Sequence, residues 1–212
     1  MNEFKETFFN SFNLILTTDS DLFEIVTLSL YVSFSALLLS CLIGIPISIY
    51  CSVSNFTGKR FFILVVNSLM GLPPVLVGLF LYIIFSASGI FGFFNLLYTP
   101  SIMIIAQIIL ILPIIISLSV EVFDKILEEY NEFFKSLELS IVQIMKTILW
   151  DGRYSLITCI LAGLGRSMSE VGAIIIVGGN IAHLTRVMTT TIALETSKGN
   201  LEIALALGVI LI

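Results

Sequence analysis

Charge is scarce in this chain: only 12% of its 212 residues are Asp, Glu, Lys or Arg, and mean hydropathy is +1.09. Soluble domains carry about 25% charged residues, so a soluble enzyme and a disordered tail are both excluded. The deficit is offset by apolar mass, 58% of the residues with seventeen Phe among them, and the solvent for most of the chain is lipid. The net charge of −5 argues against nucleic acid. Cysteine is limited to Cys41, Cys51 and Cys159, with no CxxC and no nearby His, which leaves no metal site and no disulfide to expect. His183 is the only histidine and lies in a predicted loop. No Ser/His/Asp set and no working carboxylate pair accompany it. A phosphate-cradling G-x-x-x-x-G-K-[ST] loop is missing as well, since Gly58-Lys59-Arg60 has no glycine five residues before Lys59's neighbour and no hydroxyl after it. The first twenty residues, with Glu3, Lys5 and Glu6, do not read as a cleavable signal peptide.

What is present is length without charge. The runs 25–50 and 61–120 hold no charged residue, and about 20 residues of helix cross the hydrocarbon core. The second run divides at Ser88–Gly92 and Tyr98–Pro100, where turn residues gather. Membrane helices are expected at about 22–50, 61–86, 101–121 and 154–177. The apolar residues 201–212 are too few to cross and read as the start of a fifth helix within which the chain stops. Lys59, Arg60, Lys125, Lys135, Lys146 and Arg153 fall on one side, and Lys5, Arg186 and Lys198 on the other. The positive-inside rule puts the N-terminus and 179–200 outside and 122–153 in the cytoplasm. Phe8, Phe9, Phe12 and Leu16 recur at helical spacing and predict a short helix on the outer interface.

Residues 122–153 form the one long polar stretch. Tyr130, Phe133, Phe134, Leu137, Ile141, Ile144, Met145 and Ile148 step by three or four, the face of an amphipathic helix. Such a stretch is either a solvated connector or an element that docks into a groove on a cytoplasmic partner. Its thirty or so residues, where about 2–8 suffice for a connection, favour docking.

Arg166 and Glu170 lie four apart on the predicted fourth helix and share a face. Ionisable groups in a membrane are costly unless paired or hydrated. One reading is an ion pair that orients the helix. The other is an arginine near a passage for an anion, its charge tempered by Glu170, with Ser167 and Ser169 as hydroxyl donors. Pro73-Pro74 interrupts the second helix and Pro46 and Pro113 mark the first and third, as packing kinks or as breaks that line a cavity. Gly163, Gly165 and Gly172 thin the fourth helix for close approach of another helix. Gly178-Gly179-Asn180, with Arg186 and Thr189–Thr191 beyond, reads as a flexible outer loop or a gating element.

The cytoplasmic amphipathic stretch followed by Gly163–Ala173, together with the stretches 71–79, 178–181 and 185–197, resembles oxyanion permeases of ABC transporters, in the molybdate, tungstate and sulfate group and nearest the tungstate type. The resemblance implies an all-α polytopic transmembrane helical bundle of the type I importer permease architecture, one permease domain over 1–212. It implies a homodimer in a prokaryotic inner membrane, served by ABC ATPase subunits and an extracytoplasmic oxyanion-binding protein. No cofactor of its own is implied, ATP being used by the partner, and the chain itself would be no enzyme. The expected cargo is tungstate, with molybdate or sulfate, or an ATP-independent anion channel or carrier, as the alternatives. The family's coupling-loop signature falls on Glu132, Phe133, Phe134, Leu137, Glu138 and Ile148. Only Glu132 and Ile148 match it, and Glu138 stands where the family has a turn glycine.

Overall fold

In a computed structural model, the described residues are 20–212 with Phe9, Ser11 and Leu14. The expected N-terminal interfacial helix, including Phe8, Phe12 and Leu16, lies outside them. Among the described residues there are nine α-helices and no strand.

The uncharged run after residue 24 folds as α1, Ser20–Val53, 34 residues that pass Pro46 without ending. Ser29 and Ser48 donate their hydroxyls back to the carbonyls of Ile25 and Ile45 at 2.8 Å, the usual way for serine in an apolar helix to satisfy itself. The expected second span is two helices, α2 (Lys59–Leu69) and α3 (Pro74–Phe85). Between them Pro73 is extended at φ −64°, ψ 122°, and Pro74 opens α3. A residue preceding proline avoids the helical region, and both Leu72 and Pro73 precede one, so the helix stops and restarts rather than bending.

The third span is longer than the sequence reading allowed. α4 runs Pro100–Ser136 over 37 residues, passing Pro113 and the expected end near 121. Residues 121–136 contain no Gly or Pro, so nothing ends the helix where the polar stretch begins. An exposed Glu121–Lys125 ion pair at 2.8 Å adds local support. The chain then turns at 137–140 into α5, Ile141–Asp151, so the polar stretch is the end of one helix plus a second. The fourth expected span is also divided, into α6 (Arg153–Ser169) and α7 (Gly172–Gly178). The outer stretch 179–200 contains a further helix, α8 (Met188–Lys198), and α9 (Leu201–Leu211) follows. By length and composition α1 and α4 can each cross a membrane, and four segments can if each broken pair counts as one. α9 alone, at 11 residues, is shorter than a span.

The chain resolves into two compact units. One comprises residues up to 35, 73–107 and 168–212, and the other 36–72 and 108–167. In the first unit Leu22, Met188, Ala206 and Leu207 form a buried cluster that joins the start of α1 to α8 and α9. In the second, Ile49, Phe123, Phe134, Ile148 and Leu156 form one cluster and Cys51, Val66, Ile116 and Val120 another.

Candidate translocation and docking sites

The two broken segments restart side by side. In the first unit α3 packs on α7 through residues too small to hold the helices apart. A Cβ on Gly78 would stand 2.9 Å from Ala173 Cα and 3.0 Å from its carbonyl oxygen, and one on Gly172 would stand 2.8 Å from Val75 Cγ2. Glu170, expected on one helix with Arg166, instead lies in the break before α7. There it is buried to 4% exposure, and its Oε1 accepts the Ala173 backbone N–H at 3.2 Å. Its backbone carbonyl accepts the Thr189 hydroxyl at 2.8 Å. The carboxylate therefore caps the start of α7, where the helix dipole favours negative charge. Arg166 sits in the last turn of α6, half-buried, with Ser167 buried beside it and Ser169 exposed.

Of the three glycines expected to thin the fourth helix for a second copy, two are used within the chain. A Cβ on Gly163 would meet Ile115 Cδ1 at 2.8 Å, and Gly172 is occupied by Val75 as above. Only Gly165 faces open space. Tight intrachain packing and helix–helix association in lipid draw on the same small residues, which is why the sequence did not separate them.

The outer stretch 178–191 is tied down rather than loose. Gly179 ends α7 with φ +71°, and a side chain there would run into the Tyr98 ring at 2.7 Å. The Thr185 hydroxyl donates to the Gly178 carbonyl and accepts the Ile181 N–H at 3.0 Å. Asn180, also left-handed at φ 50°, accepts the Thr190 hydroxyl on Oδ1 at 2.9 Å, and that hydroxyl accepts the Val187 N–H at 3.2 Å. Met188 N–H donates to Ser29 Oγ of α1 at 2.7 Å. The threonines thus act as loop staples. Arg186 is half-buried with Nε enclosed and no hydrogen-bond partner for that atom among the described residues.

Exposed His183 meets Glu24 Oε2 at 2.8 Å. The hydrogen bond to Glu24, then the charges of Glu24 and Asp21, push the imidazole above its usual 6.5. At the end of α8, Glu195 receives Lys198 Nζ at 2.8 Å and Asn200 Nδ2 at 2.7 Å, and those bonds hold its carboxyl below the usual range.

The six residues matched to the coupling-loop signature separate into two groups. Phe134 and Ile148 are buried against Phe123, Ile49 and Leu156, so they hold α4, α5 and α6 together. Glu132, Phe133, Leu137 and Glu138 are exposed. Ile141 and Val142, the latter outside the predicted stripe, are each 60% exposed. The result is an apolar tip of Phe133, Leu137, Ile141 and Val142 around the turn. A single-helix reading misses it because the period resets at Glu138. That residue has φ +49°, and the Leu139 N–H returns to the Phe134 carbonyl at 3.3 Å, closing α4 as a left-handed cap. Ser140 then starts α5, with Gln143 Oε1 accepting its N–H at 2.9 Å. The turn expected to need a glycine is made here with glutamate.

No protein-family profile matches the chain. It is 39% identical over 196 residues to a probable anion ABC transporter permease protein of Haloferax volcanii, covering 90% of this chain and 84% of that one. It is 37% identical over 212 residues to the tungstate uptake system permease protein TupB of Peptoclostridium acidaminophilum, covering 100% and 93%. A sulfate permease of the Chlamydomonas reinhardtii chloroplast is more distant, at 23% over 204 residues, covering 91% and 54%. With apolar helices broken and capped as above, and a likeness that runs through α1 to α9, the chain is a multi-pass membrane protein that belongs to the family of anion ABC transporter permeases, in which the tungstate uptake permeases also stand.

Proposed function

We propose that this chain is the membrane-spanning subunit of an ATP-driven importer that carries tungstate across a prokaryotic inner membrane, as a homodimer with two ABC ATPase subunits and an extracytoplasmic oxyanion-binding protein. The observation that carries the reading is the 37% identity to a tungstate uptake permease along the whole chain. Molybdate, an anion of the same shape and charge, is the next cargo, and sulfate the third.

In this reading the chain performs no catalysis and holds no cofactor. ATP is bound and hydrolysed by the partner, which grips the exposed tip of Phe133, Leu137, Ile141 and Val142 with the carboxylates of Glu132 and Glu138 at its rim. An apolar centre with a polar margin suits such a contact. Movement of that tip reaches the spans directly, because Phe134 and Ile148 bind it into the core that contains α1, α4 and α6. Half-buried Arg166 is the residue left to attract a dianion to the passage; Ser167 and Glu170, 2% and 4% exposed, are packed inside the chain, Glu170 as the cap of α7, and do not line it. Gly178, Gly179, Asn180 and Arg186 shape the outer entrance facing the binding protein.

Uptake of labelled tungstate by cells with the complete system, with and without this subunit, tests the proposal. Accumulation that needs the subunit and stops on ATP depletion is expected. Uptake that survives depletion identifies a passive channel or carrier instead.

A further inference from the structure

The segment between α3 and α4, Ser86 to Thr99, is irregular, uncharged and rich in exposed aromatic side chains. Ile90 is 79% exposed, Phe93 71% and Phe94 56%. These side chains do not hang from a slack loop. Phe91 is a hub, with ring centroids 5.5 Å from Phe85, 6.5 Å from Phe93 and 6.1 Å from Phe94, and Phe93 and Phe94 stand 4.2 Å apart. Two glycines make the knot possible: a Cβ on Gly89 would lie 2.3 Å from the Ile83 and Ile84 carbonyl oxygens, and one on Gly92 would lie 2.4 Å from that of Ser86.

Six of its backbone N–H groups donate within the protein. Gly89 N–H donates to Ser86, Phe91 to Ile84, Gly92 to Gly89, Phe94 to Phe91, Asn95 to Gly92 and Tyr98 to Val177 of α7, at 2.7–3.1 Å. The Thr99 hydroxyl takes the Leu96 carbonyl at 2.6 Å. Internal bonds of this kind lower the cost of setting irregular backbone near hydrocarbon. A soluble partner's docking site is normally edged by charged or polar side chains; here no charge occurs anywhere from 61 to 120.

From this combination — exposed aromatics on an uncharged, turn-bonded segment that continues directly into a membrane helix — we infer that residues 86–99 form an aromatic anchor set into the lipid interface at the outer end of α4, with Ile90, Phe93 and Phe94 inserted at the headgroup–acyl boundary. Its occupant is the bilayer, as for the aromatic belts of other membrane proteins. Its hydrogen bond to Val177 sets it against α7, so the anchor gives the outer end of the first unit a fixed depth. The identity of the transported anion does not enter this inference.

The test places a single tryptophan at the anchor. Phe93→Trp in a Trp150→Phe background is reconstituted into phospholipid vesicles, with Ile90→Trp as a second variant should the first fail to fold. Phospholipids brominated near the headgroup end of the chain are expected to quench the emission by about twofold or more, while aqueous iodide leaves it nearly unchanged. Strong quenching by iodide with no effect of bromolipid overturns the inference. Iodide protection that arises only when purified binding protein is added also overturns it and assigns the patch to that protein. Neither reading depends on uptake, so failure here is distinguishable from failure of the tungstate proposal.

Discussion

Glu138 carries a β-carbon in the left-handed region, at φ +49°, because the turn between α4 and α5 requires it. For an L-residue that conformation costs about 1 kcal/mol, which glycine avoids. Glu138→Gly is therefore expected to raise stability by roughly 0.5–1 kcal/mol, read as a higher midpoint of thermal unfolding in detergent, unless the greater freedom of glycine in the unfolded chain cancels it. An unchanged or lower midpoint would show that contacts of the glutamate, or the freedom of glycine in the unfolded chain, outweigh the strain. Gly78 is the opposite case. A single methyl group there meets the Ala173 backbone at 2.9 Å, and backbone cannot rotate away. Gly78→Ala should destabilise by about 1–3 kcal/mol, the usual cost of overpacking, whereas Gly165→Ala, with open space around it, should not. His183 is exposed, and its contact with Glu24 is governed by pH. Its pKa is raised in the folded chain, so the stabilisation is complete below 6.5 and is lost as pH rises through the raised value. Wild type and His183→Gln should differ in unfolding midpoint at acidic pH and converge in alkaline buffer.

At the scale of elements, the tip of α4 and α5 mixes two kinds of aromatic residue that the sequence presents as neighbours. Phe134 lies in the core and Phe133 in solvent. Phe134→Ala should cost about 3–5 kcal/mol by leaving a cavity among Phe123, Ile148 and Leu156. Phe133→Ala should leave the unfolding midpoint nearly in place and lower ATP-driven uptake, because the exposed ring adds little to the core and is the one proposed to meet the partner. Equal effects of the two on stability, with uptake following stability, would remove the docking role. The helices themselves were largely readable: α1 begins and ends within a few residues of expectation, and all four apolar segments exist. Their breaks were less so. The double proline announced the gap before α3, but Glu170-Val171 contains no helix breaker, and the interruption before α7 becomes visible only with the Glu170 cap and the Thr189 tie. Helical periodicity cannot report a tie whose partner, Thr189, is nineteen residues away.

For the whole molecule, the distribution of lysine and arginine predicts 122–153 in the cytoplasm and 179–200 outside. A thiol introduced at Ser136 should resist a membrane-impermeant reagent in intact cells, and one at Ala182 should react. The reverse pattern would invert the topology and remove the ATPase contact. Lipid residence, the number of apolar segments and the existence of one long polar stretch between them were all set by composition and by runs of uncharged residues, since solvation by hydrocarbon is a property of each segment on its own. Which glycines lie against a neighbouring helix, which phenylalanines face the core, and that Thr189 ties the Glu170 carbonyl were decided only when distant segments came together. Those are pairwise contacts between surfaces far apart in the chain, and no local pattern of residues encodes them.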